Sequence, residues 1–241
     1  GANLSATGQA GNRLSAIALG TAKGTYQAGT NGQATSGSLL VSAVGSIPGI
    51  SAQATNDAAV YSGGTLTGTV QAGHDALVSG KAAVIGTTTA TNNHARVASI
   101  DGNVLGLVSA GHSASVFSKS GVVASVTAGS ANPGGDATVS TAGSIQGSVH
   151  AAHDVTAYAH DALLGGLSAG NDLVAYADQL TVGATAGHDA TVAAKGSVIG
   201  TVNAGNHLRT TVAGPALGTF TAGQDASVVA TGPILGAVTA T

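Results

Sequence analysis

Apolar and polar residues alternate along this chain, and the alternation restarts about every eighteen residues. The segments AGHDATVAAKGSVIGTVN (186–203), AGNHLRTTVAGPALGTFT (204–221) and AGQDASVVATGPILGAVT (222–239) follow one another without a gap. Position zero of each copy is the polar residue after Ala-Gly-(His/Asn/Gln). That column reads Asp57, Asp75, His94, Ser113, Asp136, Asp154, Asp172, Asp189, His207 and Asp225, spaced 18, 19, 19, 23, 18, 18, 17, 18 and 18 residues apart. Position +3 holds Val60, Val78, Val97, Val116, Val139, Val192 and Val228. Position +9 holds Leu66, Val84, Val122, Ile145, Leu163, Val198 and Ile234, and position +13 holds Val70, Val126, Val149, Leu167, Val202, Phe220 and Val238. Gly recurs at +11, as in Gly68, Gly86, Gly147, Gly165, Gly200, Gly218 and Gly236. The apolar positions are all odd-numbered, which is the period of a strand, and no window carries a helical stripe.

A strand pattern with a fixed repeat predicts an all-β fold: a single-stranded parallel β-solenoid, or β-helix, with one copy per coil. Like positions then stack at about 4.8 Å, and each coil buries its Val and Ile against the opposite wall. Two earlier copies, at Arg13 and Gln33, bring the ten clear ones to twelve, so 10–12 coils are expected. They would form a rod roughly 50–60 Å long. The whole chain, 1–241, reads as one domain, with regular coils over 54–241 and less regular ones over 1–53. SANPGG at 130–135 holds the extra residues of the one long clear copy, and its Pro-Gly-Gly predicts a loop pushed out of the coil. VSAVGSIPGI at 41–50 is a second poor fit that should bulge without breaking the stack. Positions +3 and +9 resemble the hexapeptide rule of left-handed β-helices. The third side reverses that order, so a right-handed coil is preferred over a left-handed one.

Composition narrows the picture. Only 7% of residues are charged and 2% aromatic, so the core must be a thin one of Ala, Val and Gly. An apolar fraction of 43% argues against disorder. A net charge of −3 with scattered basic residues lacks the footprint of a nucleic-acid partner. No apolar run is long enough for a membrane span. Without Cys there is no disulfide scaffold. A chain that begins at Gly1 and ends within the repeat, at GPILGAVTAT, is expected to be a mature product or a segment. At that end either the chain continues or another subunit docks by strand addition.

Seven of the ten acidic residues stand at position zero. Each is expected to accept a hydrogen bond from its own turn, as Asx turns do. The sharper reading is calcium, with Asp136, Asp154, Asp172 and Asp189 as candidate ligands. SAGNDLVAYA (168–177) resembles half of a calcium-binding nonapeptide repeat, whose second half is missing. The pairs His74-Asp75, His153-Asp154, His160-Asp161 and His188-Asp189 are expected to point to opposite faces, as strand neighbours do, and so to form no dyad. Nucleophile-elbow, zinc-protease and phosphate-loop motifs are absent, so neither catalysis nor a cofactor is expected. Position +4 should point outward. It holds Tyr61, Phe117, Tyr158 and Tyr176, a candidate contact stripe. Positions +12 and +14 form a Ser/Thr face of the kind that binds ice, interrupted by Leu107, Gly166, Gln71, His150 and Asn203.

The segments AGHDATVAAKG, AGNDLVAYA and AGQDASVVATG resemble the repeats of filamentous haemagglutinin-type exoproteins. The likeness covers most of 54–241. It implies a secreted right-handed β-helix that acts as an adhesin or shaft, and it carries over no catalytic residues. The expectation is an extracellular, cell-surface rod, structural or adhesive. It would self-associate end-to-end or laterally into filaments and meet host or cell-surface glycans or proteins. The alternatives are an ice- or calcium-binding solenoid and a left-handed hexapeptide acyltransferase-like enzyme.

Overall fold

The computed structural model describes residues 2–29, 37–130 and 134–241. Among these residues there is no helix, and 25 strands run from Leu4–Ala10 to Ile234–Ala240. Successive strands alternate between two sheets, one of 13 strands and one of 12, and every neighbouring pair is parallel. This is a β-solenoid. Each coil places a strand of up to eight residues, such as Thr65–Ala72, in the first sheet and a shorter one, such as Ala76–Gly80, in the second.

Like positions do stack. Val192 pairs with Thr210 and Thr210 with Val228, so the +3 column forms one wall. On the other wall Leu163, Leu180 and Val198 succeed one another at +9, with Leu167, Ala184 and Val202 at +13. Nearly all of these side chains are buried, and the core is one continuous cluster that runs the length of the rod. No residue of it is far from either wall, which is why Ala and Val suffice.

The stack has 13 tiers, more than the 10–12 expected. The additional tier is the strand Leu4–Ala10, ahead of the Arg13 copy, where the register is intact: Leu4 faces Ala22 and Gly8 faces Tyr26. The core columns of these first two tiers hold Gly8, Ala22, Tyr26 and Ala28 in place of Val and Leu, so the aliphatic signal is weak there. Bulk is exchanged between tiers there, with the buried Tyr26 lying close over Gly8. The second coil's position zero is Ser38, which faces Arg13 on one side and precedes the Leu39–Ala58 pair on the other. Gln33, expected in that column, lies outside the described residues.

The segment at 41–50 behaves as expected in kind but is smaller in extent. Ile47 faces Leu66 and Ile50 faces Gly68, so a single extra residue forms a β-bulge at Pro48-Gly49. Most of the excess length of that copy falls before Ser38. Within SANPGG, residues 131–133 lie outside the described residues. On both sides the register is unbroken, with Ala114 facing Ala137 and Ala128 facing Ala151.

The recurring +11 glycine sits in the middle of the long strands. Gly165 has φ 145°, and a Cβ there would fall on the Gly147 carbonyl oxygen of the tier below. Only glycine tolerates that backbone at that distance. Gly165→Ala is therefore expected to lower unfolding stability by about 1–3 kcal/mol, read as a fall in denaturant midpoint. In the +3 column Thr210 is fully buried, and its hydroxyl has no hydrogen-bond partner. Thr210→Val keeps the shape and removes the stranded hydroxyl, so it is expected to raise stability by about 1–3 kcal/mol in the same assay.

Candidate functional site

The chemistry-bearing residues gather at the corner where the chain leaves the long-strand sheet for the short-strand one. The sequence builds this corner simply. In the copy around residue 75, Ala72 points inward and is buried. Gly73 follows, where a Cβ would strike the Thr55 carbonyl oxygen of the preceding tier. His74 and Asp75 then turn outward before the strand Ala76–Gly80 begins.

Six of the seven position-zero aspartates reach along the rod. Asp57 Oδ1 accepts from the Asp75 N–H at 3.2 Å, and Asp75 Oδ1 from the His94 N–H at 3.0 Å. Asp136, Asp154, Asp172 and Asp189 accept in the same way from the N–H groups of Asp154, Asp172, Asp189 and His207, at 3.0–3.2 Å. The expectation of an Asx turn within one coil is corrected here: the acceptor is one tier removed from its donor. At a solenoid corner the N–H of the next coil lies about 4.8 Å along the axis, directly over the carboxylate.

The residue before position zero completes the ladder. Asn93 donates to Asp75 Oδ1 at 2.6 Å and Asn171 to Asp154 Oδ1 at 3.0 Å. Three histidines lie between carboxylates of successive tiers. His74 Nδ1 is 3.4 Å from Asp57 and 3.5 Å from Asp75. His153 Nδ1 is 3.0 Å from Asp136 and 3.3 Å from Asp154, and His188 Nδ1 is 3.5 Å from both Asp172 and Asp189. Adjacent His and Asp were expected to diverge, but in all four pairs they meet. His160 and Asp161, at the opposite corner, are 3.0 Å apart. These residues occupy turns, where the two-residue alternation of a strand no longer applies.

The four calcium candidates thus stand on consecutive tiers, yet the side chains between them are His153, Asn171 and His188. Calcium takes six to eight oxygens. The three Asp–His–Asp groups, with donor atoms within 4.8 Å of one another, offer one imidazole and two carboxylates, a set closer to zinc chemistry. Each ladder Oδ1 is already engaged by a backbone N–H. The corner thus forms a hydrogen-bond ladder from tier to tier within the chain.

Of the outward aromatic stripe, only Tyr158 and Tyr176 come together. Their rings stack with centroids 5.1 Å apart and planes 7° from parallel. Lys195 lies 5.9 Å over the Tyr176 ring and pairs with Asp178 at 2.9 Å, which holds the lysine above its ordinary pKa. Phe117 is 51% exposed and separated from Tyr158 by the Ser140 tier, while Tyr61 stands between Ser42 and Ser79. Two features escaped the sequence reading. Gln71, taken as a break in the hydroxyl rank, ends an amide ladder in which Gln9, Gln27, Gln53 and Gln71 bond in series at 2.8–3.1 Å. The long-strand sheet also carries an outward aliphatic column at +10, including Ile85, Val123, Leu164 and Ile199. Aligning the copies at +10 would have revealed it.

No protein-family model, no curated protein and no solved structure matches the chain.

Asp154 reports on the ladder. Partial burial opposes its ionisation, but the Asp172 N–H, the Asn171 amide and His153 together outweigh this and hold the carboxyl below its ordinary 3.8. A depressed carboxyl contributes stability that is present above the unfolded-state value and is lost as pH falls through the folded one. Asp154→Asn is accordingly expected to be less stable than the parent at pH 6. The difference should shrink as the pH drops below 3.8 through the folded carboxyl's range, as followed by thermal melts over that series.

Proposed function

We propose that this chain is a rigid rod segment whose role is mechanical: a shaft within an extracellular filament or surface adhesin. The observation that carries the reading is the continuous stack of 13 tiers, which resumes its register after the single Pro48-Gly49 bulge. Chemistry-bearing residues recur from tier to tier and do not converge on one cleft, as a binding or catalytic centre would require. The Asp–His, Gln and Tyr ladders all run along the axis and tie each coil to the next. The resemblance of AGHDATVAAKG and AGQDASVVATG to filamentous haemagglutinin-type repeats supports the same role and suggests secretion to the cell surface. Contacts with surface glycans or proteins would then run along the side of the rod, with exposed aromatics such as Tyr158 and Phe117 as anchors.

Electron microscopy of the native material tests this. Rods or filaments with an axial repeat of about 4.8 Å are expected. Round particles without that repeat would overturn the reading.

A further inference from the structure

The strands of the long-strand sheet are almost free of charge. Over all 13 of them the only ionisable residues are Lys23, Tyr26 and His150. The three arginines lie in the other sheet, and the aspartates lie at its strand starts and in the turns. On the outer face of the long-strand sheet, the +10 column reads Ile85, Leu105, Val123, Gln146, Leu164, Thr181, Ile199, Leu217 and Leu235 on nine successive tiers. These side chains are exposed or half-buried.

Over these nine tiers, beyond which the column continues to Thr67, the pattern of aliphatic and polar residues is the same from either end. About Leu164, Gln146 mirrors Thr181, Val123 mirrors Ile199, Leu105 mirrors Leu217 and Ile85 mirrors Leu235. Three aliphatics, one polar residue, a leucine, one polar residue and three aliphatics form a palindrome. Beside its centre, Gly166 and Gly183 occupy adjacent tiers at +12. Neither has a positive φ in the glycine range, and a Cβ on either would meet no atom within 4 Å. The single chain therefore has no steric need for glycine at these two places.

We infer that two copies of this chain pair side by side and antiparallel through this face, about a two-fold axis at the Leu164 tier. This deepens the rod reading and rests on it. An isologous interface must be self-complementary. For two rods laid antiparallel, residues equidistant from the axis face each other, and the aliphatic–polar pattern of the +10 column matches at each such pair. Pairing sets aliphatic against aliphatic along the stripe and Gln146 against the mate's Thr181. Gly166 and Gly183 let the two surfaces close at the centre. The interface buries no Asp, Lys or Arg from the strands, so no charge is stranded. Four strand residues around the +10 column span about 13 Å and nine tiers about 43 Å, giving roughly 560 Å² per partner and roughly 1,100 Å² in all, above the size a specific interface should clear. A mate with the same tier spacing keeps this match over all nine tiers.

Sedimentation equilibrium of the purified chain, joined to spin-label distances, tests the pairing. A dimer is expected. Leu164→Asp should weaken it roughly a hundredfold or more by placing two carboxylates at the centre. Leu164 faces outward, so the fold should survive, as circular dichroism would show. Gly166→Lys, which has room in a single chain, should block pairing too, whereas Val174→Asp on the other sheet should leave it intact. With no native Cys, spin labels on Ile85→Cys should lie about 40 Å apart across an antiparallel pair. Labels within about 20 Å would indicate parallel rods and overturn the geometry. A parent chain that stays monomeric at every concentration, or a dimer indifferent to Leu164→Asp and Gly166→Lys, would overturn the pairing. Single rods in the microscope would do so while leaving the rod role standing; round particles would remove both.

Discussion

The structure depends on one constraint: each coil must offer its neighbour the same backbone in the same register, because every strand finds its hydrogen bonds on the coils above and below. The alternatives are few, since a slip of one residue would turn Val192 and its column outward. From this follow the fixed repeat, the confinement of added residues to places such as the Pro48-Gly49 bulge, and the glycine at +11 where backbones of adjacent tiers nearly touch. Stability then accumulates coil by coil, as in other repeat architectures.

Stacking like on like has an electrostatic cost when the repeated residue is Asp. The corner meets it in two ways. Each carboxylate is satisfied by an N–H of the neighbouring tier, as Asp154 is by Asp172. A histidine or asparagine then stands between successive carboxylates, as His153 and Asn171 do. The groups that could together hold a metal, a carboxylate of one tier with the His–Asp pair of the next, also belong to the ladder that links the corner from tier to tier.

The outer surface is divided by the same geometry. Ionisable residues collect at corners and on the short-strand sheet, where Lys195 and Asp178 pair beside the Tyr158–Tyr176 stack. Apart from Lys23 and His150, the outer face of the long-strand sheet is left with hydroxyls, amides, glycine and aliphatics. A rod with one nearly uncharged face and charged corners has a built-in direction for lateral contact, while its core remains a property of the single chain.

The sequence alone determined the coil: its length, its strand character, the inward Val and Leu columns and the outward aromatics could all be read from an alternation that restarts every eighteen residues. It could do so because in a solenoid the neighbour of a residue is its own equivalent one repeat away, so one-dimensional periodicity carries three-dimensional contact. Where the period was hidden, by Gly8 and Tyr26 in a core column or by the length before Ser38, the first tier was missed and the second copy's position zero was misplaced. Only the tertiary structure decided what happens in the turns. There the two-residue alternation lapses, and the direction of His74 or Asp154 is set by the backbone of the next tier, a partner no pattern within one copy reveals.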